Sequence, residues 1–268
     1  MTIEHTTLAG EGAYVTQAVP SPQRTKGVDS ARRALQILMQ FSETPELTVE
    51  NLIEGHDISV PSAYRYIALL REMNLIEERR KGEFVLSPQV IKLGSAAEVA
   101  FDYRAQVQPF LDRLRDATGE AALYLRRSND HAVCVAIAES ANPIGLSFQP
   151  GSLRPLHGGA AAKLLLAEYS RSKRTSYLDR LNPKLSAESR AQLEEDLDRI
   201  RETGLAQSAS EVDVGVWASA AATRAHGNLV GALTVAAPMY RLSESDRVHI
   251  TKVVVESAAG FERQLGGY

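Results

Sequence analysis

The chain has 268 residues, more than the ~100–150 of a usual single domain, so two domains are expected. Apolar residues make up 44% and charged residues 24%, ordinary globular usage that excludes a collagen-like, disordered or disulfide-stapled chain. The 30 basic and 33 acidic side chains leave a net charge of −3, so a nucleic-acid partner would have to be met by a local basic patch.

The opening residues, 1–26, are polar and rich in Thr, Ala, Gly and Pro, without the apolar stretch of a secretory signal, and read as a flexible arm. From 30 to 86 the pattern predicts three short helices and a two-stranded hairpin. Ala31, Ala34, Leu35, Leu38 and Phe41 recur at helical spacing behind Ser30 as N-cap. Thr48 caps a second helix with Val49, Leu52 and Ile53 on its apolar face. A third begins near Ser59 and Pro61 and carries Ala63, Ile67 and Leu70 on one stripe. Two extended runs then flank the basic turn Arg79, Arg80, Lys81. Helices this short must pack on one another to persist. The outline is a winged helix-turn-helix.

Helical spacing continues over 88–98 and 103–118, which read as a connector. Beyond it strand-like runs at 121–126, 132–138, 144–148, 212–221 and 229–237 alternate with helices at 159–169, 187–203 and 244–265. The fold class is therefore α+β, with an N-terminal winged helix-turn-helix over 28–87, a linker helix over 88–102 and a sensor-type domain over 103–268. The most apolar tract, 156–167, is broken by Lys163 and far too short to span a bilayer, so no membrane partner is expected.

In a helix-turn-helix the second helix of the motif presents its N-terminal residues to base edges, while the wing and first helix grip phosphates. Ser59, Val60, Pro61, Ser62, Tyr64 and Arg65 occupy the reading position. Pro61, Ser62 and Arg65, three and four residues apart, share the face opposite the Ala63/Ile67/Leu70 stripe. Arg65 has the fork to bond guanine bidentately, and Tyr64 or Ser62 can reach phosphates or bases. Arg79, Arg80 and Lys81 at the hairpin turn, with Arg24, Lys26, Arg32 and Arg33 before and within the first helix, flank it with positive charge. Within residues 1–98 ten basic side chains face thirteen acidic ones, so the reading rests on placement.

Residues 30–94, above all the run LTVENLIEGHDISVPSAYRYIALLREMNLIEERRKGEFVLSPQVIKLG, resemble the DNA-binding domain of the IclR family of bacterial transcription regulators. The resemblance continues through the second domain. RPLHGGAAAKLLLA at 154–167 is similar to the family's PLHATALGKALLA segment, and GVWASAA and GALTVAAPMYRL to its GVRCVAAP and AALSVSGPxxRL segments. Where relatives often read LPKSTVYR, this chain has ISVPSAYR at 58–65, lacking the lysine and shifting the proline. The resemblance implies a winged helix joined by a linker helix to a GAF-like effector domain, a double-stranded DNA operator as partner, and a homodimer or dimer of dimers. It also implies a small, usually carboxylate-bearing effector held in the second domain.

At that implied pocket Ala218 stands where the family has cysteine, Thr234 and Ala236 where it has a serine pair, and Ser208 at an acidic position, with Glu211 close by. Strand alternation puts Val216 and Ala218 on one face and Trp217 on the other, while Ile144, Leu146 and Phe148 share a face. Walls of Leu146, Phe148, Val216, Ala218 and Ala236, with Thr234 as the one hydroxyl, suit an apolar body with one charged end. A benzoate-like monocarboxylate fits that description. Gly159, Ala160 and Ala161 open a helix whose free amides and positive dipole end suit the carboxylate, and Arg154 is a second candidate partner.

No catalytic residue, metal or cofactor is expected. The six histidines show no HxH or HExxH spacing, Cys134 lies in the apolar run 132–138, and neither a GxSxG elbow nor a P-loop occurs. The single cysteine excludes an intrachain disulfide and fits a reducing, cytoplasmic compartment. Two alternatives stand beside the regulator: a small cytosolic hydrolase or transferase, separable by turnover without DNA binding, and a protein-interaction module, separable by salt-insensitive protein binding.

Overall fold

The structure is a computed structural model that describes residues 19–20, 28–100, 103–141 and 148–266. It divides into two compact units, Gln23–Asp102 and a larger one formed by Met1–Pro22 with Tyr103–Tyr268. The first described element, β1 (Val19–Pro20), belongs to the larger unit. The rest of the expected N-terminal arm, with Arg24 and Lys26, lies outside the described residues.

The smaller unit runs α1 (Asp29–Gln40), β2 (Glu46–Thr48), α2 (Val49–His56), α3 (Val60–Glu72), β3 (Ile76–Arg80), β4 (Glu83–Leu86) and α4 (Val90–Ala100). The α2 start is set by a capping box: Thr48 Oγ1 accepts the Asn51 amide at 3.3 Å while Asn51 Oδ1 accepts the Thr48 amide at 3.0 Å. A left-handed Asp57 ends α2 and turns the chain towards α3, which Pro61 helps to start. Ile37, Phe41, Leu52, Ile67, Leu70 and Phe84 meet in one core.

Three expectations are corrected in this unit. The cap of α1 is Val28, with no side-chain bond, and Ser30 lies inside the helix. The buried stripe of α1 is Ala34, Ile37 and Phe41, which leaves Ala31 and Leu35 exposed; the spacing of Ala31 and Leu35 marks the other edge of a helix apolar on more than one side. The hairpin is a three-stranded sheet of order β2–β4–β3, because Glu46, Leu47 and Thr48 pair with Val85, Phe84 and Glu83. A strand of three residues has too short a pattern to be read from sequence.

The larger unit continues with α5 (Tyr103–Thr118), β5 (Ala121–Ser128), β6 (His131–Ala138), β7 (Leu153–Pro155), α6 (Ala160–Ala167), α7 (Arg171–Asp179), β8 (Leu181–Asn182) and α8 (Ala187–Thr203). It closes with β9 (Leu205–Ala209), β10 (Val216–Ala225), β11 (Asn228–Pro238) and α9 (Glu244–Gly266). Six strands form an antiparallel sheet in the order β7–β6–β5–β11–β10–β9, and β1 pairs with β8 apart from it. Alternation along β5 sends Leu123 and Leu125 to one face, against α6 and α8, and Ala122 and Tyr124 to the other, against α5 and α9. On the second face Val107, Leu111, Leu114 and Phe261 are fully buried. The segment expected as a connector over 103–118 is thus a core helix of the larger unit, its apolar stripe spent on the sheet. At Gly231 a β-carbon would fall 2.4 Å from the Tyr124 ring and 2.8 Å from the Leu125 carbonyl, so only glycine lets β11 pass under the buried tyrosine.

The strand expected over 212–221 begins at Val216, since 210–215 form a turn in which Gly215 and Ser210 have positive φ. Of the run expected at 144–148 only Phe148 is described, and it lies outside any strand. No described helix is long and apolar enough to cross a membrane. Among the described residues no group of three or more His, Cys, Asp or Glu is placed to hold a metal ion. Cys134 is buried, and desolvation pushes its thiol up to about 11, so it is a core residue with little thiolate.

Candidate functional site

The outward face of α3 carries the residues assigned to base reading. Ala63, Tyr66, Ile67 and Leu70 hold α3 in the core, which leaves Ser59, Val60, Pro61, Tyr64 and Arg65 exposed and Ser62 half-buried. Ser59 Oγ and Ser62 Oγ share a hydrogen bond of 3.0 Å, and Arg65 Nη2 donates to Ser62 Oγ at 3.1 Å. This chain of hydroxyls aims the guanidinium along the helix face while leaving most of its donors open. Val60 and Tyr64, both more than half exposed, add apolar surface of the kind that meets a thymine methyl.

The wing is less positive than its sequence. Arg79 is the extra residue of a bulge between β3 and β4 and pairs with Glu46 of β2, while Arg80 lies 3.8 Å from Glu83. Among the described residues Lys81 has no ion pair, and Gly82, at φ 79°, closes the turn by donating its amide to Glu78. Exposed pairs of this kind are worth ~0.2–1 kcal/mol and break readily when a phosphate competes. Glu46→Gln frees Arg79 and is expected to tighten binding to every duplex by less than ~1 kcal/mol, most visibly at low salt; titration of a scrambled duplex checks it.

The larger unit contains a narrow, mostly apolar cavity of about 50 Å³ between the sheet and the start of α6. Phe148, Gly159, Ala160, Ala161, Val216, Ala218, Thr234 and Ala236 all line it; Leu146 lies outside the described residues. Its floor follows from strand register. Ala218 faces Ser208 on β9 and Ala236 on β11, and one row along, Ala220 faces Thr234, which faces Leu123. Small side chains in the first row make the depression; Leu123, Leu125 and Val216 make its walls. Thr234 is 5% exposed and, among the described residues, its Oγ1 has no hydrogen-bond partner, a state that costs free energy until something bonds to it. Arg154 stands at the rim with its guanidinium 5.0 Å over the Phe148 ring.

The α6 amides assigned to a ligand carboxylate are partly in use. Gly159 donates its amide to Glu211 Oε2 at 3.0 Å, and Ala160 to Ser208 Oγ at 3.0 Å. Glu211 Oε1 also accepts from Lys163 Nζ at 2.6 Å. Sequence reasoning missed this arrangement, having treated Lys163 only as an interruption of an apolar tract. The signal was available: a lysine in the helix Ala-Ala-Ala-Lys-Leu-Leu-Leu-Ala must be buried with its turn, and a buried lysine requires an acidic partner.

Comparison with known proteins decides the family. The model of the IclR helix-turn-helix domain matches residues 30–80, and that of the C-terminal domain of the bacterial transcriptional regulator IclR matches residues 96–262. The chain belongs to the IclR family. It is 26% identical over 239 residues to the HTH-type transcriptional regulator BhcR of Paracoccus denitrificans, covering 87% of this chain and 85% of that one. To the HTH-type transcriptional repressor AllR of Escherichia coli K12 it is 24% identical, over 93% and 94% of the two chains. An IclR homolog from Microbacterium hydrocarbonoxydans, solved with 4-hydroxybenzoate, matches in fold with a TM-score of 0.74 at 16% identity, over 88% of this chain and 99% of that one. This IclR-family chain is accordingly a transcription regulator with a DNA-binding domain and an effector domain. The hydrolase-or-transferase alternative is set aside, since the family and its members regulate transcription.

Proposed function

We propose that this regulator is a cytoplasmic repressor whose hold on a double-stranded operator is controlled by a small monocarboxylate, an aromatic acid of benzoate type, bound in the cavity beside α6. The observation that carries the reading is the Thr234 hydroxyl, buried and without a partner among the described residues, at the edge of an apolar cavity that ends on a helix N-terminus. Such a cavity suits an apolar body with one anionic end. The 4-hydroxybenzoate held by the Microbacterium homolog supports the aromatic class, and the repressor name of AllR supports the sign of control. The functional division places the winged helix at 28–87, a linker helix at 88–102 and the effector domain at 103–268. Ser59, Val60, Pro61, Ser62, Tyr64 and Arg65 read bases, and Arg79, Arg80 and Lys81 grip phosphates. Genomic fragments retained by the purified protein, counted with and without benzoate, test the whole reading: operator retention should fall with the acid, and retention indifferent to every small acid would overturn effector control.

Two half-sites require two reading helices, so the protein acts as a homodimer or dimer of dimers. Val28, Leu35 and Met39 form an exposed apolar edge on α1, each over 40% accessible, and Ile91 and Leu93 do so on α4. Residues this apolar are the expected contacts with a second copy. Sedimentation at micromolar concentration should show a dimer or larger, with Leu35→Glu shifting it toward monomer. A monomer with and without operator would refute the assembly.

A further inference from the structure

The start of α6 already holds a carboxylate, and it is the chain's own. Glu211 places one oxygen 3.0 Å from the Gly159 amide and the other 2.6 Å from Lys163 Nζ. Lys163 is 5% exposed, and its next acidic neighbour, Asp196, stands 3.8 Å away. Gly159 has φ 86°, and a β-carbon there would touch Val212 at 3.0 Å. The 210–215 turn therefore lies directly on the helix end that a ligand acid would seek.

We infer that Glu211 is an internal occupant of the anion site, which the effector's carboxylate must displace, and that Lys163 is the cation for which both acids compete. The inference rests on the reading of the cavity as an acid-effector site. A ligand that pushed Glu211 aside without bringing a negative charge would leave a buried lysine with only a distant partner, which is strongly disfavoured. A neutral ligand that left Glu211 in place would find the Gly159 and Ala160 amides taken. Exchange of one carboxylate for another keeps the charge of the site constant, so the arrangement selects anions. Thr234, without a partner among the described residues and in the same cavity, is the independent mark of a ligand position. Arg154 and Asp213 also line the cavity. The expelled Glu211 carries the 210–215 turn with it. That turn is tied to both β10 and the end of β11, by Ser210 donating to the Val216 carbonyl at 2.8 Å and Met239 to the Gly215 carbonyl at 2.7 Å.

Calorimetric titration of the full-length protein with benzoate and with neutral benzamide tests the competition. Glu211→Gln keeps the shape but not the charge, and should bind benzoate at least tenfold more tightly than the parent, with no comparable gain for benzamide. Lys163→Met should lose benzoate binding. Hydrogen exchange needs no variant: in the parent, benzoate should speed exchange across 210–215 while slowing it at the start of α6. Benzoate binding by the parent with equal or weaker binding by Glu211→Gln, or with a turn that becomes protected, would overturn the inference and leave the acid-effector reading standing. Binding to Glu211→Gln alone would support it. If neither protein bound benzoate or any other small acid, the effector reading would fail and this inference with it.

Discussion

Arg65→Ala is expected to cost about 1–3 kcal/mol of discrimination between operator and scrambled DNA, roughly 5–150-fold. The reason is geometric. Arg65 is exposed on the outward face of α3, the face proposed to read bases, its Nη2 is bonded to Ser62, and the rest of its fork is open for a guanine edge. Arg80→Ala should behave differently. Arg80 sits on the wing with only a long contact to Glu83, so its loss should weaken every duplex alike and reduce the slope of log K against log salt by about one. Dissociation constants for both duplexes over a salt series separate the two effects. Undiminished discrimination in Arg65→Ala would mean that α3 does not read sequence through this residue.

Benzoate should raise the melting temperature of the effector domain, and Ala218→Phe should abolish the rise. At a hundredfold excess over Kd, a ligand that binds only the folded state stabilises it by about 2.7 kcal/mol, roughly 5–10 °C for a domain of this size. Ala218 lies between Ser208 and Ala236 in the row of small residues that makes the cavity floor, so a phenylalanine there puts its own ring where the ligand's would lie. DNA binding without effector should persist, because the proposed reading face lies on α3, in the other unit. A panel in which glyoxylate or pyruvate shifts the melt while aryl acids fail would refute the aromatic assignment and spare the acid site. Failure of all acids would remove both.

The long elements were legible because their apolar pattern extends over many residues. The α8 helix follows a repeating apolar stripe of Leu193, Leu197 and Ile200, and β11 is a long apolar run buried almost throughout. Thr48 was recognisable as a cap because it precedes such a stripe. Elements with only two or three buried residues were not legible. The α7 helix buries just Arg174, Tyr177 and Leu178, while β2 and β7 span three residues each and earn their place by pairing. That a cavity would be lined by Ala218, Thr234 and Ala236 was readable through the family segments. Its occupant was not, since Glu211 and Lys163 are 48 residues apart and only the folded sheet brings their elements together.

Strand order also dictates when each half of the molecule can form during synthesis. The described core residues of the winged-helix unit lie between Ala34 and Phe84, so that core can close as soon as it leaves the ribosome. The effector sheet cannot. Its central pair joins β5 to β11, with Leu123 opposite Thr234, over a hundred positions later. At ~5–20 residues per second the partner strand takes roughly 5–20 s to appear, and until then the apolar run Ala-Ala-Leu-Tyr-Leu of β5 has one edge open. A nascent chain of this regulator thus completes its DNA-binding fold well before the sensor that governs it, and its period of greatest exposure to aggregation falls between the two.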